Sequence, residues 1–569
     1  MQKLFEKSKN LLVKPQESIL SAAVIIMAMI GASAVLGIVR ERVLLYFFIP
    51  EDFSIFKAAF RFPDMFTGIL ALGALSSAFI PVFTKTFNQK PKEAWDVASR
   101  VVNIGLIIFF VLAFLFWIFS ENIYSLITPG YSLEEKRKVA EIARILFLSQ
   151  GLFIVSYTLT GVLESAKRFF ITALAPIFYN LGIVLGTVFL TKDLGLFAPV
   201  LGVVLGAFMH LAVQLPLAWK LGFRFSTHVR PNAEVKRIAR LAGPRLFELA
   251  TLQMSNVAEL FLSSFISTAS YGYYTLAMSV QALPVSLFGL SIAKAALPSL
   301  AAQTDDLDKF RKTLLSTLYQ VFFFVAPLSV FLMVLRVPIV RILFGTDIFD
   351  WSATVQTGLI LSAFAIGIPF QAAIGLLARA FYALHETKTP VIVSLVSTGI
   401  TVLLDFYLIL ILGLPTWAMA LSFSLGTLGE AVVLGYLLSK RLNSNPVTNV
   451  IPIMKSIIAS AITGGVMFFL LKFFDRSVWV KRLSFLVDLK GLENLNFESF
   501  VLDTRFTANL IVLTFMTSLI GLAIYLCMSS LMKSTELVTL FRIIKRHKLT
   551  SPEKEKESLT PPASDQSQI

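Results

Sequence analysis

FRFPDMFTGILALGALSSAFIPVF, residues 60–83, is oily enough for a bilayer yet carries an arginine, an aspartate and two prolines. Either charge at the middle of a membrane costs roughly 2.5–3.5 kcal/mol on insertion scales, so something must offset it. Lys57, Arg61 and Asp64 follow an i, i+4, i+7 spacing, which puts them on one face of a helix and lets Asp64 partly screen Arg61. That face is expected to look into protein or water. Pro63 removes a backbone donor and disfavours helical geometry at Phe62, which predicts a bend, while Gly68 and Gly73 permit close approach by neighbouring helices. The segment reads as a membrane helix that lines something wet.

The rest of the chain fits that setting. Of its 569 residues 56% are hydrophobic and 15% charged, outside the range of an ordinary soluble domain. The net charge of +15 is spread over short gaps between apolar runs, so it reads as an orientation signal and not as a nucleic-acid surface. A single cysteine, Cys527, excludes an intrachain disulfide and any multi-cysteine metal site. There is no HExxH zinc motif and no GxxxxGK[ST] phosphate loop. The four histidines, His210, His228, His385 and His547, make no nucleophilic constellation, and His210, inside a span, reads as a hydrogen-bonded packing residue. The chain is therefore expected not to be an enzyme.

Apolar runs recur as about fourteen candidate crossings, beginning 18–39 and 54–83 and ending 450–474 and 506–531. An all-α polytopic membrane protein is the expected fold class. Lys3, Lys7, Lys9 and Lys14 before an apolar run imitate a secretory signal, but Ile19 to Val39 is long enough to cross a ~30 Å core and is read as the first span. Lysines and arginines in the connections after even-numbered spans place both termini in the cytoplasm; EEKRK at 134–138 is the exception. The basic stretch Lys220–Arg240 divides the spans into lobes at 1–219 and 245–440, with 220–244 as linker. Two further helices fill 441–531 around an outer loop at 475–505, and 532–569 reads as a basic amphipathic stretch followed by a polar tail.

Other charges lie inside the spans. Arg40, Glu41 and Arg42 are read as closing the first span; snorkelling is favoured for Arg42, and for Arg40 both a snorkelling and a functional role stay open. Glu259 and Asp405 have no base within one turn, so each must protonate, find a partner on another helix or hold a cation. Lys294 and Glu430 are further intramembrane charges without a local explanation.

GASAVLGIVRE at 31–41 followed by AFRFPDMFTGILALGALSSAFIPVF at 59–83 resembles the signature of the MurJ (MviN) family of lipid II flippases, within the multidrug/oligosaccharidyl-lipid/polysaccharide exporter superfamily. The resemblance continues in GVLESAKRFFITALAPIFYN at 161–180, LGFRF at 221–225, LPVSLFGLSIAKAALPSL at 283–300 and ARAFYALHETKTPV at 378–391. It implies fourteen helices, two pseudosymmetric six-helix lobes round a cationic cavity, and two C-terminal helices forming a groove for the lipid tail. It also implies alternating access for a lipid-linked pyrophosphate glycan in the inner membrane, with a role in peptidoglycan biosynthesis and cell shape. By resemblance Arg40, Arg61 and Asp64 are expected substrate-binding residues, and Lys57 and Lys294, bases beyond the family pattern, are expected to join them. Glu259, Thr401 and Asp405 fall where some members bind sodium, so sodium or a proton is the expected coupling ion, and no cofactor is expected.

Several family charges are replaced. Ala34 and Thr67 stand where arginines are usual, Ser54 for an aspartate, Leu72 for a glutamate, and Met278 and Ser279 for an Asp-Arg pair. Lys57 and Lys294 are additional bases, but Lys294 lies fifteen residues from Ser279, roughly 22 Å along a helix, and cannot replace that arginine in place. Two other readings therefore stay open. One is a transport-deficient membrane scaffold that recruits cell-wall synthesis or division proteins; the other is a drug or small-solute antiporter of the same superfamily.

Overall fold

In a computed structural model of the chain, residues 19–69, 78–443, 446–475, 506–534 and 536–538 are described. The elements among them are helices: α1 Ile19–Phe47, α2 Pro50–Gly68, α3 Ile80–Gln89, α4 Pro91–Ile127, α5 Leu133–Ser165 and α6 Phe169–Leu194. There follow α7 Phe197–Ala212, α8 Leu215–Lys220, α9 Ala233–Ser264, α10 Ser270–Pro284, α11 Ser291–Ala301 and α12 Leu307–Val334. The remainder are α13 Arg336–Phe344, α14 Trp351–Ala383, α15 Lys388–Phe406, α16 Trp417–Arg441, α17 Pro446–Phe474 and α18 Thr507–Leu531. Eleven helical stretches among the described residues are long and apolar enough to cross a membrane. That makes the protein all-α and polytopic, without fixing the expected fourteen crossings. One of those fourteen, α2, fails on composition because it holds Glu51, Asp52, Lys57, Arg61 and Asp64. The expected outer loop at 475–505 apart from Asp475, the terminal tail beyond residue 538 and Leu72 lie outside the described residues.

The chain divides into two compact units. The first holds Met1–Leu283, Arg336–Gly367 and Val391–Glu430; the second holds Pro284–Leu335, Ile368–Pro390 and Ala431–Ile569.

In the first unit α5 is the hub, packed on α2, α4 and α7. Phenylalanines fill the space it shares with α2 and α4: Phe62 stacks on Phe116 at 5.4 Å, and Phe116 on Phe147 at 4.5 Å between ring centres. The opposite face of α4 presents Phe110, Phe114 and Trp117 outward, as a helix bathed in acyl chains does. Helices α6 and α7 meet backbone to backbone, because Gly182 faces Gly206 and Gly186 faces Gly202. A Cβ on Gly182 or Gly186 would lie 2.3 Å from the opposing glycine Cα, so this is a paired small-xxx-small contact. His210 on α7 meets Ser156 of α5 at 2.6 Å, and Gln214 donates to the same hydroxyl at 2.8 Å. The histidine packs and braces, as its sequence context suggests. Part of the 220–244 stretch is tied to α4: Asn103 donates to the Ser226 carbonyl at 2.8 Å, and the His228 ring nitrogen lies 2.7 Å from Asp96.

Prolines inside two helices are handled alike. Pro63 cannot donate to the Ala59 carbonyl one turn back, which would leave that oxygen orphaned in an apolar surround. The Tyr124 hydroxyl of α4 donates to it at 2.9 Å. In the second unit Pro327 of α12 frees the Phe323 carbonyl, and the Tyr525 hydroxyl of α18 donates to it at 2.8 Å. Each tyrosine thus ties a neighbouring helix to a proline site. Tyr124→Phe is expected to lower stability by about 1–3 kcal/mol, the cost of an unsatisfied buried acceptor, read as a lower thermal midpoint in detergent; an unchanged midpoint would refute the role.

Candidate functional site

The site starts from a boundary that the sequence misplaced. Val43 to Phe47 continue the first helix, so Arg40 and Glu41 lie within α1 and do not close it. Glu41 is buried, with only 4% of its surface exposed. Its Oε1 accepts from Arg40 at 2.5 Å and from Lys57 of α2 at 2.6 Å, while its Oε2 is buried without a partner. Arg40 also donates to Asn180 of α6 at 2.9 Å. Its guanidinium is thus turned inward and does not snorkel. Arg42 does something else again: it donates to the Ile342 and Leu343 carbonyls near the end of α13, a helix C-terminal cap by a base.

Arg40, Lys57, Arg61 and Asp64 line one cavity of about 210 Å³, closed by Phe56, Phe60, Tyr179, Ile183, Tyr271 and Thr275. The shared face read from residues 57, 61 and 64 is real. Arg61 donates from Nη2 to Gln253 of α9 at 3.0 Å, and its Nε is buried without a partner. Three bases, Arg40, Lys57 and Arg61, face two acids, Glu41 and Asp64. With both acids ionised the surplus is one positive charge, and two of the bases share a single carboxylate oxygen. The volume suits several waters or the charged part of a ligand, not a whole glycolipid headgroup.

The replaced charges are accommodated, not vacant. Ser54 is fully buried; its hydroxyl accepts the Gly272 N–H at 3.1 Å and meets the Tyr131 hydroxyl at 3.3 Å. Thr67 donates to Gln150 at 2.5 Å and to the Pro63 carbonyl at 3.0 Å. Ser279 donates to the Leu276 carbonyl of its own helix at 2.7 Å, and Met278 beside it is half-buried. Ala34 lines a different cavity, described below.

The second expected cluster also lies in this unit. Glu259 of α9 and Asp405 of α15 are near enough for their charges to interact, and the Tyr274 hydroxyl faces Glu259. Asp405 accepts from Ser422 of α16, and Thr401 is one turn before it, against Gly426. The donors are all oxygen, which suits a hard cation or a proton. Among the described residues no three His, Cys, Asp or Glu side chains gather as a metal site. Glu430 faces Ser394 in the same unit. Lys294 is on α11 in the second unit, with an exposed side chain.

Glu41 was missed as a site residue. It sits between two arginines read as closing the first span, and its contact with Lys57 spans two helices, which no local spacing reports.

The sequence matches the family described as Lipid II flippase MurJ over residues 45–487. The chain belongs to that family. A probable lipid II flippase MurJ of Thermotoga maritima is 27% identical over 393 residues, 69% of this chain and 80% of that protein. Another, of Borreliella burgdorferi, is 24% identical over 473 residues, 82% and 91% of the two chains. Among solved structures, a lipid II flippase MurJ in an inward closed conformation matches with a TM-score of 0.70 at 23% identity, covering 88% of this chain and 98% of that one. An inward-facing multidrug resistance MATE family transporter of the MOP superfamily matches with a TM-score of 0.61 at 17% identity, over 72% and 94%. At such identities these two likenesses establish the fold, and the family membership rests on the sequence match.

Proposed function

We infer that this chain carries lipid II across the cytoplasmic membrane by alternating access, its diphosphate docking at Arg40, Lys57 and Arg61 while the polyprenyl tail stays in lipid. Family membership supports the substrate, and the observation that carries the site is the meeting of three bases from α1 and α2 round one cavity. Guanidinium and ammonium groups offer charge-assisted donors that suit a diphosphate in a low dielectric. The carrier performs no bond-making chemistry. Both termini lie in the cytoplasm in this reading, as the distribution of loop bases supports.

Glu259, Thr401 and Asp405 take the coupling ion, sodium or a proton. Flipping that is indifferent to both sodium and pH gradients would remove that role. For the transport itself, a cell depleted of its own lipid II flippase should grow when this chain is expressed and lyse when the Arg40→Ala/Arg61→Ala variant replaces it at equal abundance. Rescue by the double variant would refute the cavity as the transport site.

A further inference from the structure

A second cavity, of about 460 Å³, is lined by Met29, Ser33 and Ala34 of α1, Glu164 of α5, and Thr172, Ala173 and Pro176 of α6. Among the described residues Glu164 is its only charged wall residue. Among the described residues no base pairs with its carboxylate, and no side chain donates to it. Ala34, across the same space, offers nothing that could. A carboxylate at the edge of an apolar bundle with no internal partner has an outside partner or stays costly.

The two cavities share two helices. Six residues of α1 separate Ala34 from Arg40, about 9 Å of rise, and three residues of α6 separate Pro176 from Tyr179, about 4.5 Å. Asn180 joins them: its Oδ1 accepts from Arg40 at 2.9 Å, and its Nδ2 faces Ser33 at 3.4 Å. A cationic hollow and an anionic one thus stand one after the other along the same walls. A ligand with an anion at one end and a cation some way along its length would meet both.

We propose that Glu164 is a specificity residue that binds a primary ammonium group on the peptide stem of the substrate while the diphosphate sits at Arg40, Lys57 and Arg61. This rests on the lipid II reading above and adds to it a second point of recognition. Ser33 and Thr172 supply hydroxyl acceptors on the same wall as the carboxylate, and Met29, Ala34, Ala173 and Pro176 make the rest of that wall apolar. The ammonium remains intact; no bond is made or broken.

The test uses the full chain reconstituted in vesicles of phosphatidylglycerol and phosphatidylcholine, so that among the lipids only the substrate carries a primary amine. Two probes are compared: lipid II with a free side-chain amine on its peptide, and the same lipid with that amine acetylated. The wild-type protein should flip the free-amine probe roughly tenfold faster at sub-saturating concentration, about 1.4 kcal/mol of recognition. In Glu164→Gln the ratio should fall to near one. In Ala34→Arg, where a guanidinium is placed beside the carboxylate, it should fall likewise, which provides a second variant if the first folds poorly. A wild-type ratio near one, or a Glu164→Gln variant that slows both probes equally, overturns the proposal. So does a Glu164 effect that emerges only when phosphatidylethanolamine is added, since the amine would then be a lipid headgroup. A wild-type protein that flips neither probe would instead overturn the flippase reading itself.

Discussion

Arg61→Ala should lower lipid II flipping between ten- and a hundredfold while leaving the thermal midpoint nearly unchanged. The first half follows from the cavity. Arg61 donates to Gln253, meets the Tyr271 hydroxyl and keeps a buried Nε–H with no partner; a hydrogen bond to a charged group is worth about 1.5–3 kcal/mol. The second half follows from what is left behind. Gln253 still accepts from Asn256 at 2.6 Å, and the Tyr271 hydroxyl, which also meets Arg61, lines the cavity, where water can take the place of the guanidinium. Arg61→Lys should fall between wild type and alanine, because an ammonium keeps the charge but loses the planar fork. Flipping that is unaltered in Arg61→Ala, or a loss matched by a collapse in stability, would contradict this role.

Glu41→Ala should do the reverse and strike the fold first. Glu41 bridges Arg40 and Lys57 through one oxygen, its single charge shared between the two. Removing one partner of a buried pair costs about 3–5 kcal/mol. The low end applies here, because the Arg40 and Lys57 side chains keep 22% and 20% of their surface exposed and cavity water can relieve them. The thermal midpoint in detergent should drop clearly, and adding Lys57→Met should recover part of the loss, since one of the two uncompensated charges then goes. A full-strength midpoint in Glu41→Ala, or no recovery in the double variant, would show that the trio does not act as a unit.

The same trio marks what could be read from the sequence. The helical spacing of Lys57, Arg61 and Asp64 was enough to place them on one wall, because periodicity within a helix is a local property. The end of α1 was harder. Bases at 40 and 42 look like a membrane boundary, and only the apolar Val43 to Phe47 argue for continuation. Contacts between helices left the least trace: the pairing of Glu41 with Lys57, and of Tyr124 with the carbonyl freed by Pro63, spans 16 residues in one case and 65 in the other. The glycines of α6 and α7 follow two GxxxG spacings that the sequence reading did not use, and their mutual facing needed the structure. Ser54 and Thr67 looked like lost function when set against the family pattern; each is a satisfied polar group in a packed wall, and the positive potential is carried instead by Arg40, Lys57 and Arg61.

The central claim is that a diphosphate-bearing lipid crosses the membrane by way of these three bases. Purified protein reconstituted with fluorescent lipid II, with a membrane-impermeant reagent reporting sidedness over time, tests it most directly. The account predicts flipping well above that of empty vesicles, reduced to the empty-vesicle rate in Arg40→Ala/Arg61→Ala. Equal rates with and without the wild-type protein, or an undiminished rate in the double variant, would contradict it.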